Sequence, residues 1–188
     1  VNEARKAGEE LSKLDHFTEK EKDALYEQIG MAALKYFLLK VDPKNRMLFD
    51  PAASIDLQGH TGPFIQYTYA RIKSLLKKGH LSGVDATSAA GQATTDNYQL
   101  LQEERNVIKL LHHFPAVLNG SAAKLDPSSL ANHTYELVKS YNGFYQSVPV
   151  LKEEDKAKRA FRLVLSAAVG DATKRAMNCL GIEVPERM

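Results

Sequence analysis

The 188-residue chain holds a single cysteine, Cys179. One thiol cannot build an internal disulfide framework, and such sparse use fits a reducing compartment. No apolar run approaches the ~20 residues that a membrane-spanning helix needs. No secretory leader opens the chain. It begins at Val1 and not at methionine, which points to truncation or to processing. A glycine-rich phosphate loop is missing, as is any serine or cysteine nucleophile motif. The six histidines include the neighbours His112 and His113, which a helix would point about 100° apart. None has a His or Cys partner at zinc-ligand spacing, so no metal site is expected. Glu9-Glu10, Glu103-Glu104 and Glu153-Glu154 read as charge pairs on helix surfaces. Nothing marks a cleft that would tune two carboxylates for acid–base chemistry. The expectation is a chain with no catalytic centre and no cofactor site of its own.

What is present is ordinary for a soluble globular protein: 44% hydrophobic and 26% charged residues. The length suits one domain, or one domain with a tail from a neighbour. A chain of this size hides roughly 70% of its unfolded surface. The net charge of +2 is unevenly spread. Residues 1–62 carry 9 Lys/Arg and 11 Asp/Glu, and residues 63–188 carry 16 and 12. A basic second half can favour a polyanion, but so small an excess is also what a solvated helical surface carries.

The patterning is helical almost throughout. Asn2 to Leu14 is charged and weakly amphipathic. Thr18 and Glu21 have the spacing of a capping box, and the helix they start carries a stripe of Leu34, Phe37, Leu38 and Val41, with Gly30 a point of interruption. Asp42-Pro43 stops it. Met47, Leu48 and Phe49 suit one short strand, and Asp50-Pro51 reads as an N-cap with proline at the first helical position. Gly59 to Pro63 breaks the chain again. Ile65, Tyr69, Ile72 and Leu76 then form one helical face, closed by Lys77, Lys78 and Gly79. Residues 79–97 read as a loop. A helix runs from about Tyr98 to His113, where Pro115 kinks or splits it before about Lys124. Asp126-Pro127 starts the next helix, with Leu130, Thr134, Leu137, Tyr141 and Phe144 inward. The last helix is expected from about Glu153 to Leu180, with Phe161, Leu165, Ala168, Ala172 and Met177 inward, and Gly181 capping it. The expected fold is all-α, an antiparallel helical bundle with at most one or two short strands. The expected division is 1–62 as a connecting segment and 63–188 as the bundle.

Aromatic and basic residues cluster twice. Phe64, Tyr67, Tyr69 and Arg71 crowd one helix start, and Tyr141, Asn142, Phe144 and Tyr145 crowd one helix end. Looped-out RNA bases are read by aromatic stacking and by hydrogen bonds to their edges. Asn142 lies about 100° from the centre of its helix's apolar stripe, which predicts that it faces outward, with Tyr145 at the stripe's edge. Aromatics in a bundle also serve as plain core, and spacing alone leaves both readings open.

The stretch Ile29-Gly-Met-Ala-Ala-Leu-Lys-Tyr-Phe-Leu-Leu39, followed by Met47-Leu-Phe-Asp-Pro51, is similar to the region after the catalytic signature loop of the class I arginyl-tRNA synthetases, with Lys35 where arginine is usual. Two further segments resemble the same family. The stretch Gly59-His-Thr-Gly-Pro-Phe-Ile-Gln-Tyr-Thr-Tyr-Ala-Arg71 looks like the pattern Gly-x-Thr-Gly-Pro-Tyr-x-Gln-Tyr-x-x-x-Arg that opens its anticodon-binding bundle. Here Phe64 replaces a frequent tyrosine, and His60 stands where Asn or Asp is common. Leu130-Ala-Asn-His-Thr-Tyr-Glu-Leu137 and Tyr141-Asn-Gly-Phe-Tyr145 follow, with Gly143 in place of a longer polar residue. The closing Leu180-Gly-Ile-Glu-Val-Pro-Glu-Arg-Met188 matches the family's characteristic end.

The resemblance spans residues 20 to 188. It implies that residues 1–62 join the catalytic domain to the bundle near the inner corner of the tRNA, and that 63–188 bind the anticodon. It places Tyr67, Tyr145 and Met188, with Asn142 and Arg71, against the anticodon loop. It implies a parent that joins arginine to tRNA(Arg) with ATP and magnesium in the cytoplasm. The implied partners are the tRNA(Arg) anticodon loop and stem and the parent's own catalytic domain, with no DNA or membrane partner and a monomeric state. The family's His-x-Gly-His-type and Lys-Met-Ser-Lys-Ser-type motifs are absent here, so this segment alone is expected to be inactive. The alternatives are a free-standing helical interaction module and the equivalent domain of a related class I synthetase.

Overall fold

A computed structural model describes residues 17–48, 50–80 and 98–188. The helix expected over Asn2 to Leu14, most of the loop expected over 79–97, and Phe49 lie outside the described residues. Six helices are described: α1 (Glu19–Leu39), α2 (Pro51–Ile55), α3 (Gly62–Lys78), α4 (Gln102–Lys124), α5 (Pro127–Ser147) and α6 (Lys156–Cys179). The fold is all-α, and no strand occurs among the described residues; Met47 and Leu48 are irregular.

Helix starts follow local chemistry. Thr18 accepts from the Glu21 backbone N–H, and Glu21 Oε2 accepts from the Thr18 N–H at 2.8 Å, completing the capping box. Asp50, Thr61, Asp126 and Asp155 each cap a following helix with a side-chain oxygen. The last turn of α6 ends on Gly181 at φ 68, which lets Ile182 N–H reach Met177 O at 2.8 Å and Gly181 N–H reach Asn178 O at 2.9 Å. Only glycine takes that backbone region without a steric penalty.

Helices α4 and α5 form a hairpin across Leu125 and Asp126, and α3 and α6 complete the bundle. One core cluster joins Ile72, Val107, Leu137, Tyr141, Phe144 and Val169. A second joins Ala32 and Tyr36 of α1 to Ile65, Leu130, Met177 and Ile182. Packing therefore runs from α1 into the bundle without a break. Gly62 explains how close the two come: a Cβ there would lie 2.5 Å from the carbonyl oxygen of Ala32.

Several expectations are corrected. Helix α1 passes through Gly30 unbroken and buries Leu25, Tyr26, Ile29, Ala32, Ala33 and Tyr36. Its predicted stripe points away: Leu34 and Leu38 are exposed, and Phe37 and Val41 are half-buried. The small Ala32 and Ala33 let α3 approach closely, which the leucines would prevent. In α6, Ala168 is exposed and Phe161 only half-buried, while Leu165, Ala172 and Met177 are buried as expected.

Helix α4 starts at Gln102 and runs through Pro115 without splitting. Proline removes one donor and crowds the preceding turn. Five residues before the proline, His133 of α5 reaches the Leu110 carbonyl at 3.1 Å. A carbonyl only accepts, so Nε2 carries the proton and donates.

Glu104 is no surface charge. It is fully buried, and its Oε1 accepts from Arg162 Nε at 2.9 Å and from the Tyr98 hydroxyl. Its Oε2 accepts from Leu101 N–H at 2.9 Å. Arg162 also donates to Glu153 and to Pro149 O. This network pins the start of α4 to α6.

Candidate nucleic-acid interface

Helix α3 lays Ile65, Tyr69 and Ile72 into the core, and Tyr67 and Arg71, one turn apart, emerge beside that face, half-buried. Helix α5 buries Tyr141 and Phe144 and brings up Asn142 and Tyr145 next to them. The guanidinium carbon of Arg71 sits over the Tyr67 ring at 4.8 Å and over the Tyr145 ring at 5.4 Å. Arg71 Nη1 donates to Asn142 Oδ1 at 2.6 Å. Asn142 Nδ2 donates to Thr68 Oγ1 at 2.8 Å, and Thr68 passes its own proton to Phe64 O at 3.0 Å. The relay fixes the amide: Thr68 has spent its proton, so Asn142 must turn its nitrogen to Thr68 and its oxygen to Arg71.

Four of the five residues singled out by sequence thus meet in one cluster. Asn142 is not outward-facing: it is 9% exposed, at the α3–α5 seam. Four other helices pack on α5, so a position 100° off its apolar centre still faces a neighbour. Its role in the cluster is to hold Arg71. Tyr145 is 36% exposed, with its ring centroid 6.3 Å from that of Tyr141. Gly143 is exposed, and a Cβ there would meet open space.

Met188 stands elsewhere. It packs against Leu25 and Ile29 of α1. The tail leading to it lies along α1 and α3: Lys35 Nζ donates to Gly181 O at 2.6 Å, Gln66 Nε2 to Glu183 O at 2.8 Å, and Lys73 pairs with Glu186 at 3.2 Å. Phe64 and Tyr69 also leave the cluster, Phe64 toward Tyr135 at 5.6 Å and Tyr69 into the core.

Sequence reasoning missed two contributors. Thr68, fully buried, orients Asn142, and no motif marks it apart from its place three residues before Arg71. Tyr135 stacks on His60 at 3.8 Å, while His60 Nε2 donates to the Tyr36 hydroxyl at 3.0 Å and that hydroxyl donates to Ala131 O. His60 thereby joins the loop to α1 and α5. Burial, together with Lys40 and Lys139, holds its pKa below the ordinary histidine value. Among the described residues, no three His, Cys, Asp or Glu side chains gather as metal ligands. No described helix is long and apolar enough to cross a membrane.

Residues 65–188 match the model of the DALR anticodon binding domain. The chain belongs to that family. The DALR match takes in α3 from Ile65 onward and all of α4 to α6, and therefore the whole Tyr67–Arg71–Asn142–Tyr145 cluster. Beyond it, the chain is 48% identical over 185 residues to an arginine–tRNA ligase of Flavobacterium psychrophilum, covering 98% of this chain and 29% of the relative. It is 45% identical to that of Phocaeicola vulgatus, covering 100% and 30%. The chain thus spans about three tenths of the length of the curated relatives it matches. The Thermus thermophilus arginyl-tRNA synthetase structure superposes over the whole chain with a TM-score of 0.82 at 24% identity, covering 31% of that protein. The Plasmodium falciparum enzyme gives 0.81 at 23%, covering 32%. At these identities the structural likeness is one of fold.

Proposed function

We propose that this chain is the tRNA-binding portion of an arginine–tRNA ligase, which attaches arginine to tRNA(Arg) with ATP, and that its DALR bundle reads the anticodon loop. The observation that carries the reading is the clustering of Arg71 over two tyrosine rings, backed by a buried amide. Such a cluster offers flat faces for stacking and a charged donor for a base edge or phosphate. Tyr67 and Tyr145 are the proposed stacking platforms, Arg71 the donor and Asn142 its support. Met188 is the proposed contact from the tail, on the strength of the family resemblance of the terminus. Residues 1–62 are proposed as the connection to the catalytic domain, and 63–188 as the anticodon-binding unit. ATP and magnesium are proposed to bind the rest of the parent, on the strength of the family resemblance. The parent is proposed to act as a cytoplasmic monomer. This part supplies binding energy and orientation that place the distant acceptor end.

The test is binding to tRNA(Arg) transcripts against a transcript with its middle anticodon base changed, across a salt series. Discrimination between the two supports anticodon reading. Equal, steeply salt-dependent binding reduces the bundle to a backbone grip. No binding at low salt removes the proposal in favour of a helical interaction module.

A further inference from the structure

A second group of rings and cations lies on the same flank of α5 as the Arg71 cluster. Tyr135 and Asn142 are seven positions apart, close to two full turns. They therefore leave the helix in nearly the same direction, about 10 Å apart along its axis. Helix α3 keeps step with it. Phe64, seven positions before Arg71, meets Tyr135 with ring centroids 5.6 Å apart, as Arg71 meets Asn142. The α3–α5 seam thus has two levels. At the level away from Arg71, Tyr135 is half-buried and stacks on His60 at 3.8 Å. His60 is itself held in place. Its Nε2 lies 3.0 Å from the Tyr36 hydroxyl, and its backbone carbonyl accepts from Lys40 Nζ at 2.8 Å. Lys139, exposed and one turn on from Tyr135, has its Nζ 5.7 Å from that ring's centroid. The charges acting on His60 are Lys40, Lys139 and Glu136, two positive and one negative. His60 and Lys40 precede residue 65, where the DALR match begins.

We infer that Tyr135, backed by His60 and flanked by Lys139, is a second nucleotide site, in which an unpaired base stacks on Tyr135 and its phosphate pairs with Lys139. This rests on the proposed RNA reading of the Arg71 cluster. One base covers one ring, so the two levels of the seam take different nucleotides of the same strand. A cation beside an aromatic ring suits a nucleotide, which offers a flat base and an anionic phosphate together. The stack on His60 fixes the Tyr135 ring beforehand, so little side-chain freedom is lost on binding.

The test measures binding of the full-length parent to tRNA(Arg) transcripts in which each anticodon-loop nucleotide in turn is made abasic. Tyr135→Leu keeps an apolar contact with the core cluster that Tyr135 borders and removes the ring. It should weaken binding of the intact transcript by about tenfold. One abasic transcript should bind the parent and this variant equally, and its missing base should differ from the one that makes Tyr145→Ala silent. Lys139→Gln alters only an exposed side chain. It should lower the slope of log affinity against log salt by about 0.7, as for one phosphate contact on a single strand, and it decides the matter if Tyr135→Leu fails to fold. Unchanged binding by a folded Tyr135→Leu, an equal loss on every abasic transcript, or an unchanged salt slope for Lys139→Gln would overturn the site. If Tyr145→Ala still weakens binding, the second site alone is removed. If Tyr145→Ala has no effect either, the anticodon reading falls with it.

Discussion

Replacing Arg162 with alanine should cost the bundle about 3–5 kcal/mol, the usual penalty for leaving a buried charge without its partner. The geometry supports the upper part of that range. Glu104 is fully buried, and among the described residues Arg162 is the cation paired with it, through Nε at 2.9 Å. After the substitution Glu104 keeps two donors, the Tyr98 hydroxyl and the Leu101 N–H, but no positive charge. Glu153 and the Pro149 carbonyl lose their donor in the same stroke. In a chain of this size 1 kcal/mol moves the melting temperature by roughly 2–4 °C, so the midpoint should fall by ~6–20 °C. Helical circular dichroism against temperature at pH 7 reads this directly. The paired change Arg162→Met with Glu104→Gln removes both charges and should recover most of the loss, since apolar or neutral replacement of a buried pair is often close to neutral. A single variant melting within about 2 °C of the parent, or a double variant no better than the single, would refute the reasoning.

Tyr145→Ala should weaken tRNA binding by roughly tenfold or more, given the ~1–3 kcal/mol that one base-stacking aromatic contributes, with the melt unchanged; filter binding reads the first and circular dichroism the second. Gly143→Ala should raise stability by about 0.8–1 kcal/mol, the helix-propensity difference at an open position, in a urea titration. Gly62→Ala should do the reverse, because its Cβ would meet the Ala32 carbonyl at 2.5 Å and force α1 from α3. The pH dependence has a definite sign. Burial depresses the pKa of both His60 and His133 from 6.5, so the unfolded chain takes up protons first as pH falls. Their contribution is full above about 6.5 and is lost as pH drops through the lower folded values. His133→Gln should flatten that part of a melting-temperature profile between pH 7 and 5.

The helices were legible where a single residue decides a boundary. Asp50, Asp126 and the Thr18–Glu21 pair start helices because the capping chemistry is local. The inward faces of α3 and α5 were legible too, since the apolar residues recurring at helical spacing on each are largely the ones buried. The failures share a cause: local pattern does not say how many neighbours a helix has. Asn142 turned inward because α5 is covered on most of its circumference. The leucines of α1 turned outward because two alanines gave α3 a closer fit. Glu104 and Arg162 are 58 residues apart, and nothing in either's neighbourhood announces the other. In the candidate site, Tyr67, Arg71 and Tyr145 were readable from motif spacing, whereas the Thr68–Asn142 relay needed the third dimension.

The bond from His133 to α4 carries a last consequence. His133 and Asn142 are nine positions apart on α5, about 13 Å along the axis and half a turn around it. One points at α4, the other at α3. The bond from His133 to the Leu110 carbonyl fixes both the rotation and the height of α5 on α4. The same setting carries to the far side of the helix, where it determines whether the Asn142 amide stands level with Arg71. A histidine contact on one side of α5 thereby indexes Arg71 of α3 on the other, through a helix that acts as a rigid spindle between them.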